Sequence, residues 1–317
     1  GSHVVKRFVN KYPNYNIYNV DNLTYAGNLS NLKDLDDKKN YFFFKIDIND
    51  HKQIIKLFSD HKITDVIHLA AESHVDRSIE SSFEFAQTNV LGTLSLLEAA
   101  KKIWDSDFKK NLFYHISTDE VYGSLGLKGS FNEESKYNPN SPYSASKASS
   151  DHFIRAYNKT YGLPTIISNC SNNYGPFQHN EKLIPNIINS LINRKKISIY
   201  GDGKNIRDWL FVDDHCDAIE LIFNNGIIGE TYNIGGDYEV SNIDLAYLII
   251  KKFDEIKSNP AGYSENLIQF VDDRAGHDFR YAIDHNKITK ELGWVPKTNF
   301  KAGINETIKW YLKRLIV

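Results

Sequence analysis

The 317-residue chain contains no methionine and only two cysteines, Cys170 and Cys216. Two cysteines cannot build a disulfide framework and fit a reducing, cytoplasmic setting. The lack of any Met, initiator included, marks these residues as less than a full translation product. No charge of either sign predominates: 38 Lys and Arg against 40 Asp and Glu leave a formal net charge of −2. That near-balance offers no electrostatic footprint for nucleic acid or for an anionic membrane surface. Long hydrophobic runs are missing too, since stretches such as Leu245–Ile250 fall far short of the roughly 18 residues of a membrane span. The start, Gly1-Ser2-His3-Val4-Val5-Lys6-Arg7, lacks the apolar segment of a secretory signal, and no repeat or low-complexity tract follows. With 41% hydrophobic residues there is enough for a large core, and what remains is a globular, enzyme-sized α/β protein.

Short runs rich in β-branched and aromatic residues recur at Asn16–Val20, Tyr41–Ile46, Val66–Ala70, Asn111–Ser117 and Thr165–Asn169. None alternates cleanly, as expected of strands covered on both faces. Helical patterns lie between them. Ser82–Lys102 places apolar residues at Phe85, Leu91, Leu94, Leu97 and Ala100, and Ser141–Tyr161 reads likewise. Strands alternating with helices predict a doubly wound parallel sheet of the Rossmann type. After about Asn173 the texture changes: Gly, Asn and Pro become frequent, and strand signals shorten to Ile197–Tyr200 and Thr231–Ile234. A smaller α/β lobe is expected there, interleaved with the first. The expected division is 1–170 plus about 204–238 for a dinucleotide lobe, and about 171–203 plus 239–317 for a substrate lobe.

Val20-Asp21 ends a predicted strand. An acid there suits the ribose of a dinucleotide, roughly 20 residues after a Gly-rich turn. Gly1 stands 20 residues earlier and precedes a helical pattern, Val4, Val5, Phe8 and Val9. It reads as the last glycine of such a turn, or else Gly1-Ser2-His3 is a cloning scar. Either way, the first strand and first glycines of such a fold lie outside these residues. Asp47-Ile48 follows the next strand and suits the flank of an adenine ring. Leu69-Ala70-Ala71-Glu72-Ser73 follows the one after, where small residues let backbone approach a ligand.

Tyr143 and Lys147 stand one helical turn apart on a common face. A phenol of pKa about 10 is a poor base at neutral pH. A nearby ammonium and an oxidised nicotinamide would lower that value, and Tyr143 could then take a hydroxyl proton as hydride leaves the same carbon. Taken alone, Tyr-x-x-x-Lys more often marks a solvated pair. Its neighbour changes the reading: the strand Asn111–Ser117 ends in Thr118-Asp119-Glu120-Val121-Tyr122-Gly123. Thr118 could hydrogen-bond the reacting hydroxyl. Two adjacent carboxyls can divide the labour of acid and base when their environments separate their pKa values.

These two segments together resemble the extended short-chain dehydrogenase/reductase family and, within it, the dTDP-glucose 4,6-dehydratases. The resemblance extends through Asp21–Asn28, Ala70–Ser78, Cys170–Pro176, Glu181–Pro185, Tyr200–Gly203, Ile206–Trp209 and Asp273–Asp278, to Trp310-Tyr311. In related epimerases the acid pair is missing. In GDP-mannose dehydratases and UDP-glucuronate decarboxylases the segment usually reads Thr-Ser-Glu. Ala275 stands where the family often has Pro, and relatives often continue beyond Tyr311.

The resemblance implies an NAD-dependent hydro-lyase acting on dTDP-glucose in deoxysugar synthesis. It implies catalytic roles for Thr118, Asp119, Glu120, Tyr143 and Lys147. NAD would meet Asp21, Asn22, Leu23, Thr24, Asp47, Ile48, Leu69, Ala70, Ala71, Glu72, Ser73, Thr88, Tyr143, Lys147 and Asn173. The nucleotide sugar would meet Ser73, Thr118, Asn172, Lys182, Leu183, Tyr200, Arg207, Asn242, Arg274 and His277. Arg207 and Arg274 suit a diphosphate because guanidinium is a planar two-point donor. The helices Ser82–Lys102 and Ser141–Tyr161 would pair across a homodimer as a four-helix bundle. No metal is expected: His68, His115 and His152 have no ligand spacing and read as core or surface residues. A related dehydratase or epimerase, or a silent NAD-binding scaffold, are the alternatives.

Overall fold

Parallel strands need long crossovers, and this chain supplies them as helices. The computed structural model describes residues 1–104, 108 and 110–314. Its strands are β1 (Ile17–Asp21), β2 (Tyr41–Lys45), β3 (Asp65–His68), β4 (Leu112–Thr118), β5 (Thr165–Cys170), β6 (Asn172–Tyr174), β7 (Ile197–Tyr200), β8 (Ile206–Phe211), β9 (Thr231–Ile234), β10 (Glu239–Ser241) and β11 (Ile268–Val271). Each strand expected from the sequence is present within a residue or two. β1 and β2 pair in parallel, and β3, β4, β5 and β9 form a second parallel sheet in the order β3-β4-β5-β9. β6, β8 and β10 make a smaller sheet in which only β10 runs antiparallel, and β7 pairs with β11.

All seven residues of β4 are buried, which is why its sequence, Leu-Phe-Tyr-His-Ile-Ser-Thr, does not alternate. Phe113 and Ile167 face Ile54, Phe58, Leu97, Ala100 and Ile154 on one side of the sheet. Tyr114, Ile166 and Tyr232 face Phe8, Ile219 and Ile222 on the other. Helices thus cover both faces, as the doubly wound pattern requires. A further core of Ile184, Ile188, Trp209, Leu245, Ile249, Ile304 and Ile308 joins the helices Leu183–Ile192, Asn242–Lys257 and Phe300–Arg314 to β8. Each such fully buried aliphatic side chain is worth about 1.5–3 kcal/mol relative to exposure.

Two helices position the site. Pro142–Tyr161 begins in a capping box: Ser141 Oγ accepts from Ser144 N and Ser144 Oγ accepts from Ser141 N, both at 3.0 Å. Pro142 pre-sets the first turn, and Gly162, at φ 71°, ends the helix. The other expected helix is not uniform. Ser82–Phe85 and Gly92–Ile103 are α-helical, but Ala86–Leu91 between them is a π-turn. Asn89 explains the widening. Its buried amide accepts from Glu72 N at 2.9 Å and donates to Glu72 O and Ser146 Oγ. Its carbonyl takes the hydroxyls of Thr93 and Ser150. Tertiary partners thus replace regular helical bonds at this point. Among the described residues, no helix is long and apolar enough to cross a membrane.

Candidate active site

Ligands in open α/β sheets bind outside the carboxyl ends of the strands. β4 ends there at Thr118, opposite Cys170 of β5. Thr118 Oγ1 accepts from Glu120 N at 3.3 Å, capping a short 3-10 turn, Asp119–Tyr122, and lies 3.3 Å from Asp119 Oδ1. Gly123 closes the turn at φ 87°, where a Cβ would sit 2.3 Å from Asn138 O. The segment Thr-Asp-Glu-Val-Tyr-Gly is therefore one local device: strand end, cap, two acids and a glycine that nothing else replaces.

The two acids sit in different fields. Asp119 is buried, and desolvation, then the charges of Glu120 and Asp208, push its carboxyl well above the usual range. Burial raises Glu120 too, and the charges of Arg207 and then Lys182 offset part of that rise. Asp119 is the better proton donor at neutral pH and Glu120 the better base. Tyr143 is buried nearby and its phenol is pushed up, by desolvation first and then by Glu120, with the Thr118 hydroxyl working the other way. Lys147, one turn on, donates to Ile116 O at 2.9 Å, and burial takes its ammonium down to about 8.

Basic groups flank the acids. Lys182 Nζ donates to Ser73 O at 2.7 Å and lies 3.3 Å from Ser73 Oγ, joining two predicted site residues distant in sequence. Arg207 lies in β8, buried, its guanidinium 4.4 Å above the ring of Tyr281. Among the described residues it donates only to the carbonyls of Ile206, Asp278 and Phe279 and meets no carboxylate directly. Arg274 and Tyr200 share the carboxylate of Asp76, and His277 Nδ1 lies 2.7 Å from Asp273 Oδ1. Among the described residues, the buried side-chain oxygens Asp119 Oδ2, Asn172 Oδ1 and Asn242 Oδ1 have no hydrogen-bond partner. Such atoms in one region suit a polar ligand.

The residues expected to meet the dinucleotide form a separate group. Asp21 ends β1 and its Oδ1 accepts from Leu23 N at 2.7 Å, with Leu23 at φ 53°. Asn22 donates to Asp47 Oδ2 at 3.0 Å, tying the ends of β1 and β2 together. Ile48 is buried beside Gly92, while Thr24 is exposed. Leu69 to Ser73 follow β3, half-buried, and Glu72 is held by Asn89. Thr88 is half-buried on the π-turn, and Asn173 Oδ1 lies 2.7 Å from His215 Nδ1. Leu183 starts its helix and packs on the second core.

Sequence reasoning gave no site role to four residues. Asp76 anchors Arg274, and Tyr281 underlies Arg207; neither carries a local signature, because each partner is remote or unremarkable in sequence. Asp151 and His115 lie behind Lys147. His115 and His68 are core residues and His152 is exposed, as read, but His115 is more than inert filling.

Comparison with known proteins agrees in kind. The family model for GDP-mannose 4,6 dehydratase matches residues 1–307. A protein of Sinorhizobium fredii named probable dTDP-glucose 4,6-dehydratase is 53% identical over 304 residues, 95% of this chain and 87% of its own length. The dTDP-glucose 4,6-dehydratase of Neisseria meningitidis is 49% identical over 320 residues, 98% and 90% of the two chains. Among solved structures, the dTDP-glucose 4,6-dehydratase of Streptomyces venezuelae with NAD bound superposes with a TM-score of 0.90 at 41% identity, covering 99% of this chain and 94% of that one. With acid pair, phenol and ammonium at one strand end and a match along its length, the chain belongs to the GDP-mannose 4,6-dehydratase family, alongside the dTDP-glucose 4,6-dehydratases.

Proposed function

We propose that the chain is a dTDP-glucose 4,6-dehydratase working with NAD, converting dTDP-glucose into dTDP-4-keto-6-deoxyglucose and water. The observation that carries this reading is the pair Asp119 and Glu120, two adjacent carboxyls with separated acidities beside the buried phenol of Tyr143. The relatives of that name supply the nucleotide and the sugar, and the Streptomyces structure supports the cofactor.

The residues at the carboxyl edge fit a dinucleotide. Asp21 holds an exposed carboxylate for a ribose diol, Ile48 offers an apolar flank, and Glu72 Oε2 accepts no hydrogen bond among the described residues, with Arg77 Nη1 3.6 Å away. Asp21 to Thr24, Asp47, Ile48, Leu69 to Ser73, Thr88 and Asn173 would hold it. Bound NAD supplies a two-electron store, taking hydride from sugar carbon 4 and returning it to carbon 6.

Tyr143 takes the proton of the 4-hydroxyl, with the Lys147 ammonium favouring the phenolate and Thr118 hydrogen-bonding the same oxygen. The carbon-4 ketone acidifies the hydrogen on carbon 5, and Glu120 removes it. The carbon 6–oxygen bond breaks with its electrons leaving on oxygen, and Asp119 protonates that oxygen, which departs as water. Glu120 returns its proton to carbon 5 as carbon 6 is reduced. The proton gained by Tyr143 and that lost by Asp119 cancel over a cycle. General acid and base steps of this kind are each worth about 10²–10⁴ in rate. Arg207 and Arg274, with Lys182, Asn172, Tyr200, Asn242 and His277, would hold the nucleotide.

Two further readings accompany this one. The second copy of a homodimer would cover the helices carrying Phe83, 88% exposed, and Leu91, 58% exposed, since apolar side chains so placed are costly in water. A cytoplasmic site of action is supported by Cys170 and Cys216, which are unpaired. The test of function is product mass from parallel incubations with dTDP-, UDP-, CDP- and GDP-hexoses. Loss of one water from dTDP-glucose alone is expected. Water loss from another nucleotide sugar moves the base specificity, and no turnover of any overturns the reading.

A further inference from the structure

Behind the reacting edge of the sheet lies a second cluster of titratable groups that the reaction above does not use. Lys147 lies on the buried face of its helix, Nζ 2.9 Å from Ile116 O and 3.4 Å from His115 Nε2. That same nitrogen of His115 is 3.3 Å from Asp151 Oδ1, and both residues are wholly buried. Asp151 stands one turn beyond Lys147 on the same helix. Its Oδ2 accepts from Ser117 Oγ at 2.9 Å and from Tyr137 OH at 2.8 Å. Oδ1 has no full hydrogen bond and faces the imidazole edge alone.

A buried carboxylate with one oxygen unpaired is costly, and so is a buried ammonium with a single carbonyl acceptor. Placed one turn apart, each compensates the other's charge. Burial takes His115 down to about 4, so the ring between them is neutral and carries one N–H. Its Nδ1 is buried without a partner. Nε2 is shared, with Lys147 Nζ on one side and Asp151 Oδ1 on the other, so whichever nitrogen carries the hydrogen the ring acts as a spacer between the two charges.

We propose that Asp151 is a positioning residue for the chemistry at Tyr143: with His115 as spacer, its buried carboxylate is the counter-charge that keeps Lys147 an ammonium held at the strand end. This rests on the role given to Lys147 above. The groups facing the cluster are few. Asp151 shares the helix of Lys147, His115 lies on β4, and the His68 ring on β3 is 5.1 Å from that of His115. Cys170 lies on β5, and Tyr137, bonded by Arg155 at 2.8 Å, closes the far side of Asp151. Asp151 is the largest influence opposing the desolvation of Lys147. Without it the ammonium sheds its proton at lower pH, and Tyr143 loses the cation that favours its phenolate.

The test is the pH dependence of dTDP-glucose turnover by the NAD-loaded enzyme. Asp151→Asn keeps an acceptor for Ser117 and Tyr137, removes the charge and turns an amide donor toward His115. It is expected to move the alkaline limb of kcat down by about one pH unit or more, with KM changed by less than about threefold. A folded Asp151→Asn protein with the limb unmoved overturns the inference. Lys147→Met separates the two claims. If it keeps parental turnover, the role of Lys147 is wrong; if it abolishes turnover while Asp151→Asn leaves the limb in place, only the role of Asp151 is wrong. Should Asp151→Asn not fold, Ser117→Ala with Tyr137→Phe leaves the carboxylate charge and strips its two donors. The alkaline limb then moves up, and no movement or a downward one overturns the inference.

Discussion

Arg274 grips Asp76 at two points, Nε on Oδ1 at 2.5 Å and Nη2 on Oδ2 at 3.0 Å, across 198 positions of sequence. Tyr200 donates to the same carboxylate at 3.1 Å. One edge of the guanidinium is thereby fixed, and Nη1 takes no part in that pair. Asp76→Ala frees Arg274 and Tyr200 together. The expected result is roughly tenfold weaker binding of dTDP by calorimetry, about 1.4 kcal/mol, with kcat little changed. Unchanged affinity would sink the assignment of Arg274 to the nucleotide.

Glu120→Gln keeps the shape of the proposed base and removes its capacity to take a proton. Turnover of dTDP-glucose is expected to fall about 10²–10⁴-fold while dTDP still binds. Product mass in heavy water gives a second readout, because deuterium enters carbon 5 only where that proton is exchanged. Parental turnover by this variant would move the base to another residue.

Asp119→Asn carries a prediction about stability as well as rate. Burial lifts the folded carboxyl above its unfolded value of about 3.9, so its contribution to stability is complete below that pH. It is lost as pH rises toward the raised folded value. An amide never ionises and escapes this loss. The variant should therefore gain on the parent between pH 4 and pH 8, by roughly 2–4 °C in Tm for each ~1 kcal/mol. A Tm difference that stays flat or shrinks with pH contradicts a buried, proton-holding Asp119.

Phe83 reports on assembly. It is 88% exposed beside Leu91 at 58%. Phe83→Asp with Leu91→Asp should convert a dimer into a monomer by light scattering at micromolar concentration, without lowering solubility. A parent that is already monomeric removes the four-helix bundle from consideration.

Much of this was legible because the signals are local. The strand ends at Thr118 and Asp21, the four-residue spacing of Tyr143 and Lys147 and the adjacent acids all announce themselves within a few residues. Length and period together told strand from helix, since the buried parallel strands are short and do not alternate, while the long helices repeat their apolar residues every three or four positions. What stayed hidden depends on distant partners. Asp76 gains its meaning from Arg274, and the π-turn at Ala86–Leu91 from Glu72, Ser146 and Ser150 around Asn89. His115 reads as a core histidine from its strand, and only Asp151, contributed by another element, gives it a direction.

The π-turn also acts as a phase joint. It takes up one residue more than an α-helix would, so the residues before it are rotated by roughly 100° about the axis relative to those after it. Phe85 is thereby set edge-on to the Tyr143 ring, with centroids 6.3 Å apart, while Phe83 is thrown outward. Straightening the turn at constant length would swing Phe85 off the Tyr143 phenol, whereas deleting one residue between 86 and 91 would close it into an α-helix with Phe85 still in phase. Segment length here is therefore quantised: the loops between strands can change by any amount, but this helix keeps its faces only when it loses the one extra residue or none.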